Sequence, residues 1–271
     1  MSRKLILGVS AITAAFTLAA CGGSDSDSGS DAAGSTAAGE YGTISDGTLV
    51  VATEGTYRPF TYHEGGAGDL TGYDVDVVTE VADRLGLEVE FEETQFDGIF
   101  AGLEANRFDV IANQISINDQ REESYLMSDP YTVSPGVVVV AEDNTDITSL
   151  ADLDGKTTAQ SLTSNWFTVA DDNGANVEAV EGWAQAITLL EQGRVDATVN
   201  DKLTFLDYET TNPEAGIKIG AETDEESLNA FVFTKDKEDL NEAFNETLVQ
   251  MQDDGTLAEL GEKYFGQDVS Q

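Results

Sequence analysis

Gly72-Tyr73-Asp74-Val75-Asp76-Val77-Val78-Thr79-Glu80-Val81-Ala82-Asp83-Arg84-Leu85 is followed, after Gly86, by Leu87-Glu88-Val89-Glu90-Phe91, and the hydrophobic period changes between the two runs. In the first, Val78, Val81, Ala82 and Leu85 recur at helical spacing. In the second, apolar and acidic residues alternate, as in a strand with one wet face. Upstream, Thr48-Leu49-Val50-Val51-Ala52 reads as a buried strand. The three runs together predict strand, helix, strand.

The alternation continues along the chain. Phe96 to Arg107 places Ile99, Phe100 and Leu103 on one helical face, and Asp109 to Ala112 reads as a strand. Val137 to Ala141 is a continuous apolar run, as expected of a strand passing through an interior. Lys156 to Ala159 predicts a strand, then a turn and a helix from Trp166. Trp183 to Gln192 is a helix, Asp196 to Val199 a strand, and Phe231 to Phe233 a last strand. Leu240, Phe244, Leu248 and Met251 mark a long amphipathic terminal helix. This pattern predicts an α/β fold with mostly parallel sheets, whose ligands lie at the carboxyl ends of strands. No internal repeat stands out.

Composition narrows the function. The 271 residues hold 13 Lys+Arg against 52 Asp+Glu, a formal net charge of −39. Such a surface repels nucleic acid, which is excluded as a partner. The acidity reads as a solvated coat that keeps the protein soluble; a halophilic or calcium-rich setting is the other reading. Hydrophobic residues make up 40% of the chain, enough to build a core for two modest lobes or one large domain. Cys21 is the single cysteine and His63 the single histidine. An intrachain disulfide and a Cys/His zinc site are therefore excluded, and no metal or cofactor is expected. A Ser-His-Asp triad would have to use His63, which sits beside Glu64-Gly65-Gly66.

Arg3 and Lys4 precede an uncharged run of apolar and small residues from Leu5 to Ala20. The run is shorter than the roughly 20 predominantly apolar residues of a membrane span and fits a signal h-region. It ends in Leu18-Ala19-Ala20-Cys21, which resembles a bacterial lipobox. That resemblance implies a signal peptide over 1–20 and lipidation of Cys21. A palmitate-type anchor would hold the chain to the extracytoplasmic face of the cell membrane without crossing it. Gly22 to Glu40 contains only Gly, Ser, Asp, Ala, Thr and Glu and reads as a flexible tether, within a linker over 21–46.

Gly72-Tyr73-Asp74-Val75-Asp76-Val77, with Val81-Ala82 and Leu85 after it, resembles the signature of family-3 solute-binding proteins, the polar-amino-acid receptors of ABC importers. The likeness extends through Gly55-Thr56-Tyr57-Arg58-Pro59-Phe60, Phe96-Asp97-Gly98 and Ser116 to Arg121. It continues through Asp152-Leu153-Asp154-Gly155-Lys156 and Val195-Asp196-Ala197 to Asp201, and covers residues 47 to 267. The resemblance implies a type II periplasmic-binding-protein fold of two lobes joined by two hinge crossovers. Lobe 1 is expected over 47–134 plus 231–271 and lobe 2 over 135–230. It also implies a monomer, a permease partner on other chains, and ligand capture by hinge closure.

A free amino acid is a zwitterion, so its site must pair both charges. Arg121 matches the arginine of the family's motif and is the candidate for the carboxylate; pairing with Glu122 or Glu123 is the alternative. Asn113, Gln114 and Ser116 precede it at a strand end, as hydrogen-bonding partners or as an ordinary polar loop. Asp201 matches the second-lobe aspartate that takes the α-ammonium, or it caps the helix beginning at Lys202. Thr163, Ser164 and Asn165 precede a helix whose amino end suits a carboxylate, with capping alone as the alternative. Tyr57 and Phe96 match positions that wall the ligand, though an aromatic is also at home in a core. Glu54 matches an acidic position near the ligand side chain in some members and favours a second cation there. The stretches 159–166 and 200–208 look like those of the cystine-binding subgroup; a basic or amide amino acid is the other choice. Relatives on this fold include dehydratase- and lyase-type enzymes, for which Glu54 and His63 are the tempting acid–base pair.

Overall fold

Strand β1 (Thr48–Thr53) is buried along almost its whole length, and its alternate residues enter two different cores. Leu49 and Val51 face one side of the sheet, Val50 and Ala52 the other. A strand covered on both faces needs an unbroken apolar run, which Leu-Val-Val-Ala supplies. The computed structural model describes residues 41–271. The expected signal peptide over 1–20, the lipidation expected at Cys21 and the expected tether through Glu40 lie outside the described residues.

The remaining strands are β2 (Thr56–Tyr57), β3 (Thr61–His63), β4 (Leu70–Thr71), β5 (Glu88–Glu93) and β6 (Val110–Ser116). They continue as β7 (Leu126–Met127), β8 (Thr132–Ala141), β9 (Thr157–Gln160), β10 (Asn176–Ala179), β11 (Ala197–Asp201) and β12 (Ile217–Phe233). The helices are α1 (Tyr73–Leu85), α2 (Phe96–Glu104), α3 (Asp119–Ser124) and α4 (Asn165–Asp172). They end with α5 (Gly182–Glu191), α6 (Lys202–Thr211), α7 (Glu238–Asp253) and α8 (Thr256–Phe265). Among the described residues, no helix is long and apolar enough to cross a membrane.

The main sheet has the order β10-β9-β11-β8-β12-β6-β1-β5. Its outer pairs, β1 with β5 and β6 and β9 with β10 and β11, are parallel. The centre is antiparallel, because β8 pairs with β11 and β12, and β12 pairs with β6. The sheet is therefore mixed, where alternation of helix and strand predicted mostly parallel pairing. The difference lies in β12. Its first part, through Ala221-Glu222-Thr223-Asp224-Glu225-Glu226, has no apolar period to announce a strand. It is a strand because β8 supplies a backbone partner along its length, with register breaks between Ile219 and Ala221 and between Glu222 and Glu226.

Each end of the sheet has its own pair of cores. At the β1 end, α1, α7 and α8 cover one face, with Val77, Val81, Phe244 and Met251 over Leu49, Phe231 and Phe233. There α2 covers the other face through Ile99 and Leu103. At the β9 end, Val137 and Val139 face α5, while Val138 and Val140 face Trp166 and Ala170 of α4. The run of four valines read as an interior strand is thus split, residue by residue, between two cores. The amphipathic run from Leu240 to Met251, expected as the terminal helix, is α7, and Gly255, at φ 86°, turns the chain into one more helix, α8.

Candidate functional site

The carboxyl ends of β6, β9 and β11 converge with the residue that follows β1 on one cavity, enclosing about 460 Å³ of atom-free space, part of it open to solvent. Glu54, Tyr57, Phe96, Asn113 and Gln114 line it from the β1 end of the sheet. Gln160, Ser161, Ser164, Asn165, Trp166, Trp183 and Asn200 line it from the β9 end. Convergence of strand ends is where an α/β sheet offers a ligand converging dipoles and loops.

Glu54 faces this cavity. Asn113 Nδ2 donates to its Oε2 at 2.8 Å, and the Glu54 backbone N–H donates to Asn113 Oδ1 at 2.8 Å. Burial pushes the carboxyl up to about 7; the bond from Asn113 opposes this, and the nearby Glu181 and Asp97 add to it. Among the described residues it has no ion-pair partner. Of the four buried amides that line the cavity, two carry an unpartnered atom: Gln114 Oε1 has no donor and Gln160 Nε2 has no acceptor. Buried polar atoms are normally satisfied, so an unpaired acceptor and an unpaired donor on facing walls are open to a polar ligand or to water.

Arg121 lies in α3 and is buried, at 7% exposure. Its Nη1 donates to the Ser116 carbonyl at 2.6 Å and Nη2 to the Thr163 carbonyl at 3.4 Å, while the guanidinium sits 5.3 Å from the Phe100 ring centre. Neither Glu122 nor Glu123 pairs with it, and no other carboxylate among the described residues does. Burial pulls its pKa down to about 10. Arg121 and Thr163 line a second cavity, with Phe100, Tyr125 and Leu162. Ser164 and Asn165 belong to both cavities and form the wall between them. Ser164 caps α4, accepting from the Phe167 N–H at 3.1 Å, so the amino end of that helix opens on both spaces.

Asp201 is fully buried and lines neither cavity. It caps α6 by accepting from the Leu203 N–H at 2.8 Å, and it also accepts from Ser134 Oγ at 2.7 Å and Gln114 Nε2 at 3.3 Å. Burial raises its pKa to about 6 against these three bonds. Gln114 is thus the link between Asp201 and the cavity. Ser116 lines neither space; its hydroxyl belongs to a cluster with Ser227 and Asn229, and its carbonyl holds Arg121. Phe96 is both wall and core, since it packs beside Ile99 and Leu103 while facing the cavity. His63 does not meet Glu54. Its Nε2 lies 2.9 Å from Glu93 Oε2, outside the cavity.

Several bonds cross between the two ends of the sheet. Tyr57 Oη donates to Asn200 Oδ1 at 2.7 Å, Arg58 pairs with Asp207 at 3.0 Å, and Thr163 Oγ1 donates to Asp97 Oδ1 at 2.8 Å.

Residues 49–267 match the sequence signature of the bacterial extracellular solute-binding proteins, family 3. The chain belongs to this family. An L-cystine-binding protein of Bacillus subtilis, TcyA, is 48% identical over 270 residues, 99% of each chain. The L-cystine-binding protein TcyJ of Escherichia coli is 37% identical over 228 residues, 83% of this chain and 85% of that one. Among solved structures, an ancestral arginine-binding protein bound to arginine superposes with a TM-score of 0.76 at 37% identity, covering 81% of this chain and 99% of that one. The L-cystine solute receptor of Neisseria gonorrhoeae, in an unliganded open conformation, superposes at 0.57 despite 46% identity, covering 83% of this chain and 95% of that one.

Sequence reasoning did not single out Gln160, Ser161, Trp166, Trp183 or Asn200 as parts of this family-3 site. The signal was present. Gln160 and Asn200 are strand-end polar residues next to candidates already named, and Trp183 opens a helix directly after β10.

The raised carboxyl of Glu54 has a consequence for stability. Its folded pKa of about 7 exceeds the unfolded value of 4.5. The folded state therefore holds more protons between those values, and stability falls as pH rises through that window. Thermal melts of the ligand-free protein should show Glu54→Gln more stable than wild type near pH 8, with the advantage gone near pH 4.5. An equal gain at both pH values would remove Glu54 as the cause.

Proposed function

We propose that this family-3 protein is the substrate-binding subunit of an ABC importer for cystine, working outside the cytoplasm as a monomer anchored through Cys21. Residues 47–134 with 231–271 form one lobe and 135–230 the other, and β8 and β12 are the crossovers about which they close. It does no chemistry on its ligand. The observation that carries the reading is a pair of groups with no opposite charge beside them among the described residues: the buried Arg121 guanidinium and the half-buried Glu54 carboxyl, on adjoining cavities with the amino end of α4 between them. Leaving such groups unpaired is costly, and a ligand bearing the opposite charges removes that cost.

Cystine carries two carboxylates and two ammonium groups. One carboxylate goes to Arg121 and the other to the capped end of α4 at Ser164 and Asn165. One ammonium is taken by Gln114 Oε1 with Asp201 behind it, the other by Glu54. Tyr57 and Phe96 wall the disulfide-bearing middle. Two relatives named as L-cystine-binding proteins support this choice of ligand. The better superposition on an arginine-bound relative than on a more similar but open receptor supports a closed arrangement of the lobes here. Ligand moves the open–closed balance only by binding the closed form better.

The two tryptophans of the chain, Trp166 and Trp183, both line the cavity, so intrinsic fluorescence reports its occupation directly. Titration of purified protein with cystine should change that emission saturably and raise the melting temperature, with arginine and glutamine as comparison ligands. Response to arginine or glutamine alone would replace cystine as the ligand; response to none of the three would sink the receptor reading.

A further inference from the structure

Asn113 and Gln114 are consecutive residues of β6, yet both side chains face the cavity. In a regular strand neighbouring side chains point to opposite faces. The exception has a visible cause. Pairing of β6 with β12 runs from Ile115 opposite Ala230 to Ile111 opposite Val232, so β6 spends extra residues on a bulge that contains Asn113 and Gln114. Within it Gln114 stands at φ 49°, in the left-handed region that a glutamine rarely adopts. Such a conformation lasts only where its surroundings over-determine it.

One side chain reaches its backbone, while its amide is tied to Asp201. The Gln114 backbone N–H donates to Asp74 Oδ2, forty residues away in the first turn of α1. Asp74 is itself fixed. It is fully buried, its own N–H donates to the Phe60 carbonyl, and the preceding Gly72 stands at φ 136° so close to Phe60 that a Cβ would lie 2.1 Å from that carbonyl oxygen. The glycine and the first aspartate of Gly72-Tyr73-Asp74 thus act together: one lets the helix start against β3, the other reaches the bulge.

We propose that Asp74 is a positioning residue for ligand capture, holding the bulge that turns Asn113 toward Glu54 and Gln114 toward Asp201 and the cavity. It touches no ligand and acts through Gln114. This rests on the cystine reading for its binding assay, but not for its structural arm.

The test compares Asp74→Ala, Asp74→Asn, Gln114→Ala and the double variant Asp74→Ala/Gln114→Ala. Cystine titrations followed by tryptophan emission should show Asp74→Ala weakened about 10-fold or more, and Asp74→Asn, whose amide oxygen still accepts the N–H, within about threefold of wild type. In the Gln114→Ala background, Asp74→Ala should cost less than it does alone, because only its effect through Asn113 is left. Hydrogen–deuterium exchange of the ligand-free protein should show segment 110–116 protected in wild type and Asp74→Asn and opened in Asp74→Ala. Should Asp74→Ala not fold, Asp74→Ser, whose hydroxyl is too short to reach, takes its place with the same expectations. A merely structural role would lower the melting temperature and leave the affinity of the folded protein unchanged. Wild-type affinity in Asp74→Ala, additive losses, or unchanged protection of 110–116 each overturn the proposal. If wild-type protein does not bind cystine, the ligand reading fails, and the exchange measurement alone decides the role of Asp74.

Discussion

Arg121→Met should melt at or above the wild-type temperature without ligand, and should lose the ligand-induced rise altogether. The two effects have one origin. The guanidinium is buried, and its two protein hydrogen bonds go to backbone carbonyls of Ser116 and Thr163, with no carboxylate alongside. Its depressed pKa of about 10 means that folding works against the charge. Methionine keeps much of the volume and the apolar stem against Phe100 while removing the desolvated cation. Once a ligand carboxylate is seated, the same cation is half of a buried pair, and removing one partner of such a pair costs about 3–5 kcal/mol. That is a loss of roughly two to three and a half decades in affinity. A simple structural residue would move both measurements the same way. A full ligand-induced rise in Arg121→Met would show that the carboxylate sits elsewhere.

Gly136→Ala should disable binding from outside the ligand's reach. Gly136 belongs to β8, one of the two central strands, and its N–H donates to Thr223 Oγ1 where β12 breaks register. A Cβ there would lie 2.3 Å from Trp166 Cζ3 and 2.9 Å from Thr223 Cγ2. Neither contact is tolerable, and Trp166 also packs over Val138 and Val140, so its ring has little freedom to yield on that side. The relief available is into the cavity that Trp166 lines, or by displacing β8 from β12. Overpacking of this kind costs about 1–3 kcal/mol of stability. The expected outcome is a lower melting temperature and at least about 10-fold weaker cystine binding. Trp166→Phe in the same background should recover part of the stability by making room. Wild-type affinity in Gly136→Ala would show that the tryptophan and the strand yield independently of the site.

The parts of the fold legible in advance were those where one residue's neighbours in sequence decide its surroundings. Val78, Val81 and Ala82 share a helix face whatever lies beneath it, and Leu49-Val50-Val51-Ala52 must be covered on both sides. The polar stretch of β12 was not legible, because its partner β8 lies about eighty residues upstream and pays for it in backbone bonds alone. The site divides the same way. Arg121, Asp201 and the Ser164 turn were chosen by resemblance to a motif. No spacing in the sequence could say that Arg121 and Glu54 would open on adjoining cavities, or that Asp201 would lie under Gln114. The least readable feature was the bulge at Asn113 and Gln114. Its cause, an aspartate in another element, leaves no local trace in β6.

The bonds from Tyr57 to Asn200, Arg58 to Asp207 and Thr163 to Asp97 contain no ligand atom. On the proposed two-lobe reading, such bonds add to closure with or without cargo, and each molecule shut without cargo would compete with loaded ones for the transporter. Transport would then saturate with the ratio of full to vacant receptor instead of with cargo concentration alone. Weakening one of these bonds would lower background occupancy of the transporter at the expense of a faster leak of captured substrate.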